Sequence, residues 1–181
     1  LDEVADHAIS MAFMLMRNIP RYNACVHQGS YRWQDWKAPI PRYRGAVFGM
    51  VGFGRIAQNA ARKLQMFGFD VRAYDPFLSE SLMSTHGVKK MELEEMLRCA
   101  DVVSIFCPHT EQTHHIINAE TLAMMKPSAY LVCVSRGKCV DNLALYHALK
   151  NGVISGAALD DPEEEPMKME GWKPEMNPLF T

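Results

Sequence analysis

Ala46-Val47-Phe48-Gly49-Met50-Val51-Gly52-Phe53-Gly54-Arg55-Ile56-Ala57 is the stretch on which the reading of this chain turns. The apolar run Ala46–Val51 reads as a strand, extending as far as Phe53, and a helical pattern, Arg55–Phe67, opens directly after it. A Gly-x-Gly-x-x-Gly match alone is weak. A strand before it and a helix after it make it specific. Gly52 permits the tight turn, and Gly54 removes the Cβ that would keep a diphosphate from the backbone. The third position needs a small residue for helix–strand packing, which Ala57 provides. Such a diphosphate rests on free N–H groups at the helix start, where the dipole favours negative charge.

The second half of this fingerprint is an acid about twenty residues beyond the loop, and Asp75 stands there, after the apolar run Val71–Tyr74. A carboxylate at that place accepts hydrogen bonds from the adenosine ribose and repels the extra phosphate of NADP. Pro76 and Phe77 supply no arginine to offset that repulsion, so the cofactor expected is NAD. The alternative is a ligand-free turn and an aspartate that only ends a strand.

Outward from this loop, β-type runs alternate with helical patterns. Further strands are expected at Val102–Cys107, Tyr130–Val134 and Ile154–Leu159, with a weaker one near Val88. Their continuous apolar character fits parallel strands covered on both faces. Helices are expected at Glu92–Arg98, from an Asn118 cap through Met125, and from an Asp141 cap over Leu143–Lys150, where Ala144, Leu145, Ala148 and Leu149 form the buried stripe. Gly68 and Gly152 are placed to close two of them, and Pro127 prevents a third from continuing. The fold class is α/β, a Rossmann-type doubly wound parallel sheet with helices on both faces.

Composition sets the outer bounds. The 181 residues suit one core, and 48% hydrophobic with 22% charged residues is ordinary for a globular chain. A net charge of −2 without basic runs points to neither nucleic acid nor a membrane surface. No apolar stretch is long enough to span a bilayer. The five cysteines, Cys25, Cys99, Cys107, Cys133 and Cys139, contain no Cys-x-x-Cys pair, so neither a disulfide framework nor a zinc or other metal site is expected. A reducing, cytoplasmic compartment fits them best. The thirteen methionines read as core filler. Before Ala46, Ala5–Met16 reads as a helix that is apolar almost all round from Ile9 onward and must be covered on several sides. It is buried in its own domain, or it also packs on a second subunit in a homodimer; Trp33 and Trp36 could serve either contact. Leu1 and Thr181 read as cuts in a longer protein.

From about Val4 to its end the chain resembles the NAD-binding domain of the D-isomer-specific 2-hydroxyacid dehydrogenases. The blocks that carry the resemblance occur in order: Arg44-Gly45, Gly49–Ile56, Phe67-Gly68, Tyr74-Asp75-Pro76, Ile117-Asn118, Met125-Lys126-Pro127, Ser135-Arg136-Gly137 with Val140-Asp141, Gly156–Asp160 and Glu163–Pro166. The resemblance implies that Arg136, just past a strand, grips a substrate carboxylate bidentately and polarises the adjacent carbonyl. It implies that Glu165, directly before Pro166, pairs with a catalytic histidine and stabilises its imidazolium. It places Asp160 against the nicotinamide carboxamide, Val134 and Ser135 against the nicotinamide, Pro108 beside the adenosine, and Thr113 nearby. Arg55 and Ile56 offer backbone N–H groups to phosphate. The family's histidine lies in a Pro-His step after the strand that follows the Glu-Pro segment, beyond Thr181, and His109, His114 and His115 are not in that setting. A further departure is Asp161, where the family has an apolar residue.

The organisation expected is an N-terminal helix and connecting segment over 1–45, making dimer contacts, a Rossmann NAD-binding core over 46–166, and a tail over 167–181 leading back to a separate substrate domain. The function expected is the NAD-binding domain of an oxidoreductase moving a hydride between NAD and a small 2-hydroxy acid or 2-keto acid. Taken alone, this part is expected to bind NAD and to turn over little substrate. The rival is an NAD(H)-responsive binding module without turnover, since His114–Asn118 and the tail Met167–Leu179 resemble the C-terminal-binding-protein branch of the family. Another Rossmann dehydrogenase class is disfavoured by Arg136-Gly137 together with Asp160 and Glu165-Pro166.

Overall fold

The computed structural model describes residues 1–30, 40–163 and 170–180. Each expected apolar run forms a parallel strand: β1 (Val47–Val51), β2 (Asp70–Tyr74), β3 (Lys89–Lys90), β4 (Val102–Ile105), β5 (Tyr130–Cys133) and β6 (Gly156–Leu159). They assemble in the order β3-β2-β1-β4-β5-β6, the doubly wound arrangement in which strand order reverses between β1 and β4. The helices are α1 (Asp2–Met16), α2 (Ile19–His27), α3 (Arg55–Met66), α4 (Glu80–Thr85), α5 (Leu93–Cys99), α6 (Ala119–Met124) and α7 (Asn142–Lys150).

Two apolar layers explain the continuous runs. Phe48, Met50, Val71, Val102, Tyr130 and Val132 face α1 and α3. Val51, Val103, Ile105, Leu131 and Cys133 face α5, α6 and α7. Helix α1 covers α3 and β5 of its own domain, burying Ala5, Ala8, Ile9, Met11, Ala12 and Met16. Burying side chains such as Ile9 and Met16 contributes roughly 1.5–3 kcal/mol each. At its carboxyl end Phe13 packs edge-on against Tyr43 and Phe67, with ring centroids 5.0 and 4.9 Å apart.

Several boundaries differ from expectation for identifiable reasons. Strand β1 ends at Val51, because Gly52 turns the chain at φ +88°. Strand β4 stops at Ile105, so Cys107 lies past it; the N–H groups of Phe106 and Cys107 both donate to the Val51 carbonyl, at 2.8 and 2.9 Å. Helix α4 was not anticipated: it has six residues, no long apolar period, and a Ser79 hydroxyl that accepts the Leu82 N–H. Helix α2, with a proline in its first turn, was also missed. In α7, Leu145 and Ala148 are buried while Ala144 and Leu149 are only half-buried. Asn118 and Asp141 cap α6 and α7 as their sequence positions implied. Trp33 and Trp36 lie outside the described residues. Among the described residues no helix is long and apolar enough to cross a membrane.

The register aligns the strand ends. Val51 pairs with Tyr74 on one side and Ile105 on the other, Ile105 pairs with Cys133, and Cys133 with Leu159. The segments that follow these residues therefore emerge along one edge of the sheet, where ligands bind in open α/β folds.

Candidate functional site

At that edge the glycine loop is fixed from both sides. The Gly52 N–H donates to the Tyr74 carbonyl at 2.8 Å. A Cβ on Gly52 would stand 2.7 Å from the Cys107 nitrogen and 2.8 Å from its Cα, so only glycine allows the β1 and β4 extensions to cross here. Gly54 is different: its φ is −72°, and a Cβ there would meet nothing within 4 Å. It starts α3, whose first N–H groups have no partner within the helix. Ala57 is fully buried behind it.

Asp75 points at this loop. Its Oδ2 accepts the Phe53 N–H at 2.9 Å and its Oδ1 accepts the Phe77 N–H at 2.9 Å. Each carboxylate oxygen keeps a further lone pair for a ribose hydroxyl. Asp75 lines a cavity of about 550 Å³ with Gly52, Gly54, Phe77, Pro108 and Thr113. The Thr113 hydroxyl donates to the Pro108 carbonyl at 2.6 Å and accepts the Thr110 N–H at 2.7 Å, closing the turn after β4.

A second cavity, about 640 Å³, shares the wall Phe106-Cys107-Pro108 with the first. Ile56, Val134, Ser135 and Arg136 line it, with His109, Lys138 and Glu163. Arg136 is exposed, its Nη1 donates to the Ser135 carbonyl at 3.2 Å, and it has no carboxylate partner among the described residues. The two cavities bring ten of the twelve expected site residues to one edge, either as lining or, for Arg55, as the adjoining start of α3. Asp160 lines neither; its Oδ1 lies 3.1 Å from the Nε2 of His7 on α1. Glu165 lies outside the described residues.

Sequence reasoning did not foresee how the segment after β6 is seated. A Cβ on Gly137 would lie 2.1 Å from the Pro162 carbonyl carbon, so that segment runs directly over the glycine. Glu163 is latched there by His115, Nε2 to Oε1 at 2.6 Å. The glycine after Arg136 was visible in the sequence, and His115 was noted there only as a histidine outside the catalytic setting, with nothing to mark it as the partner of Glu163.

Three thiols outside any disulfide belong to one buried cluster: Cys107 in the shared wall, Cys133 at the end of β5, and Cys139 in the 3-10 turn Gly137–Cys139. Cys107 and Cys139 belong to the same buried cluster, and each shifts the ionisation of the other. The interaction with Cys107, aided by the Ser135 hydroxyl and the Arg136 main chain, lowers the Cys139 thiol to about 6 despite its burial. Its interaction with Cys139 and its burial push Cys107 far above the usual thiol range.

An NAD molecule fits what is present. The open space at Gly54 and the free N–H groups beyond it suit a diphosphate, Asp75 suits a ribose diol, and the second cavity lies beyond them along the same edge. Comparison with known proteins agrees. The family model described as "D-isomer specific 2-hydroxyacid dehydrogenase, NAD binding domain" matches residues 9–180. The chain is 36% identical over 179 residues to the D-3-phosphoglycerate dehydrogenase of Methanocaldococcus jannaschii, covering 98% of this chain and 32% of that protein. It is 38% identical over 168 residues to the glyoxylate reductase of Korarchaeum cryptofilum, covering 92% and 51%. The solved D-lactate dehydrogenase of Aquifex aeolicus, complexed with NAD and lactic acid, superposes with a TM-score of 0.82 at 34% identity, covering 90% of this chain and 48% of that one. The chain thus spans about a third to a half of the length of these relatives. Loop, acid, strand order and family match converge: this chain belongs to the D-isomer-specific 2-hydroxyacid dehydrogenases and is their NAD-binding domain.

Proposed function

We propose that the intact protein transfers a hydride reversibly between NAD and a small 2-hydroxy acid or its 2-keto partner. Bound NAD supplies the hydride acceptor in one direction and the donor in the other. The observation that carries the reading is Arg136, a guanidinium without a carboxylate partner among the described residues, at the cavity wall formed by Val134 and Ser135. Its planar fork suits a carboxylate, and the adjacent carbonyl is then polarised by the same charge. Gly52, Gly54, Arg55 and Ile56 hold the diphosphate, Asp75 the ribose, and Pro108 and Thr113 the adenosine end. Asp160, held by His7 at the same edge, receives the carboxamide. Glu165 is assigned to stabilise the imidazolium of a histidine that exchanges a proton with the substrate oxygen. The names of the relatives, which reduce glyoxylate or oxidise D-lactate and D-3-phosphoglycerate, support a small 2-hydroxy acid as substrate.

The organisation proposed keeps 1–45 as a dimer-contacting segment, 46–166 as the NAD-binding core and 167–181 as a tail toward a substrate domain. Exposed Val4, Met14, Ile19 and Val26 along α1 and α2 support a homodimer. The unpaired cysteines support a reducing, cytoplasmic setting, and the charge balance supports neither nucleic acid nor membrane as partner. The test is an NADH titration followed by turnover of a panel of 2-keto acids. The intact protein is expected to bind NADH and reduce at least one of them. Arg136→Gln should lose roughly 2–4 kcal/mol of transition-state stabilisation, on the order of 30- to 1,000-fold in kcat/KM. A protein that binds NADH and reduces no 2-keto acid overturns the proposal.

A further inference from the structure

Glu163 is the one carboxylate among the described residues that line the second cavity, and two cations, Arg136 and Lys138, line it too. Its main chain crosses the residue between them: a Cβ on Gly137 would stand 2.4 Å from the Glu163 nitrogen. Yet the partner of Glu163 is neither cation but His115, whose Nε2 lies 2.6 Å from Oε1. Its Oε2 lies 3.4 Å from the N–H of Asn142, the first residue of α7, where a helix start favours negative charge. We propose that His115 is a positioning residue for substrate binding: it holds the Glu163 carboxylate off Arg136 and so leaves the guanidinium free for the carboxylate of a 2-keto acid.

The turn after β4 sets His115 for this contact. Its φ is +49°, uncommon for a residue other than glycine, so the fold holds the backbone there against a local preference. Its N–H donates to the Lys138 carbonyl at 3.0 Å, and its own carbonyl accepts the Asn118 side-chain amide at 3.1 Å. Its ring stacks on that of His114, with centroids 4.0 Å apart and 20° between the planes. His115 is therefore tied to the segment that carries Arg136. The side chains of His115 and Glu163 are 31% and 26% exposed, which spares their contact much of the screening that weakens a surface pair. A carboxylate only accepts, so Nε2 carries the hydrogen that joins them.

Without the imidazole, Glu163 keeps its main-chain place over Gly137 and loses its partner. Arg136 pairs with a carboxylate of either origin, and one held on the same chain acts at a high effective concentration. A guanidinium closed by Glu163 is closed to substrate, and apparent affinity falls with the fraction left open. The competitor acts before substrate binds, so KM rises while kcat is kept. His115 lines neither cavity, so NADH affinity is kept as well.

The inference rests on the assignment of Arg136 to the substrate carboxylate, and its test separates the two. Oxamate, an unreactive analogue of a 2-keto acid, is titrated into the NADH complex of the intact protein, beside steady-state kinetics with a 2-keto acid that it reduces. Residue 115 is changed to glycine and, independently, to asparagine, both of which accept a left-handed backbone, so that a folding fault in one variant leaves the other. His115→Gly and His115→Asn should each weaken oxamate about tenfold and raise KM about tenfold, with kcat within about threefold and NADH affinity within about twofold of wild type. Adding Glu163→Gln removes the competing charge, and oxamate affinity and KM should return to within about threefold of wild type. A purely structural contact predicts the reverse, a double variant as weak as the single or weaker. Undiminished oxamate affinity in the His115 variants, or no recovery on adding Glu163→Gln, overturns the inference. Arg136→Gln that binds oxamate like wild type overturns the assignment of Arg136, and this inference with it.

Discussion

Gly52 and Gly54 look equivalent in the motif, yet the structure requires that they fail in opposite ways when each is replaced by alanine. At Gly54 an alanine meets no protein atom within 4 Å, and φ −72° is open to any residue. Loss of unfolded-state freedom favours alanine by about 0.4–1 kcal/mol. Its poorer helix-capping opposes that by a comparable amount. Stability should therefore stay within about 0.5 kcal/mol of wild type. The new methyl, however, projects where the diphosphate must approach the α3 N–H groups. Losing one charge-assisted hydrogen bond there, worth about 1.5–3 kcal/mol, weakens NADH by about ten- to a hundredfold. At Gly52 the methyl meets main-chain atoms at 2.7 and 2.8 Å, which no rotamer relieves, and φ is +88°. The left-handed backbone costs about 1–2 kcal/mol and the collision about 1–3 more. Gly52→Ala should thus lose about 2–5 kcal/mol, a large share of a typical domain's stability. Urea denaturation followed by circular dichroism, with NADH fluorescence titration of the same samples, measures both. Gly54→Ala that unfolds as readily as Gly52→Ala, or that binds NADH like wild type, refutes the assignment of the open space to the diphosphate.

Three further outcomes follow from other contacts. Asp75→Asn should weaken NADH about tenfold and shrink its preference over NADPH, since the repelling charge is gone; paired titrations with the two cofactors check this, and an unchanged ratio removes Asp75 from the ribose. Asp101 accepts the Val47 N–H at 2.8 Å and Lys126 Nζ at 2.7 Å, at the amino end of β1. Asp101→Ala should therefore cost about 1–3 kcal/mol of stability while leaving NADH affinity intact, and a parallel loss of both in denaturation and binding curves would contradict that separation. Gly137→Ala must displace the segment at Pro162 and Glu163, so turnover by the intact protein should fall more than tenfold while His115→Ala, which removes only the latch, has a smaller effect; wild-type kcat in Gly137→Ala would show that this seating is irrelevant to the chemistry.

Much of this molecule is written locally. Apolar runs too continuous for a one-sided sheet, glycines where helices must stop, the Asn118 and Asp141 caps, and an acid at set distance from a glycine turn are each properties of a few neighbouring residues. They determined the α/β alternation, the parallel sheet and the nature of the cofactor. Even there the short helix α4 escaped notice, because six residues do not reveal an apolar period. Tertiary structure alone decided which distant residues meet. Strand β4 lies beside β1 although two strands intervene in sequence, and that adjacency places Cys107 against Gly52. The crossing over Gly137 sets His115 against Glu163. Backbone conformation and burial pattern are short-range properties that residue type constrains directly. Side-chain pairs across the sheet depend on strand order and register, which emerge only when the whole core packs.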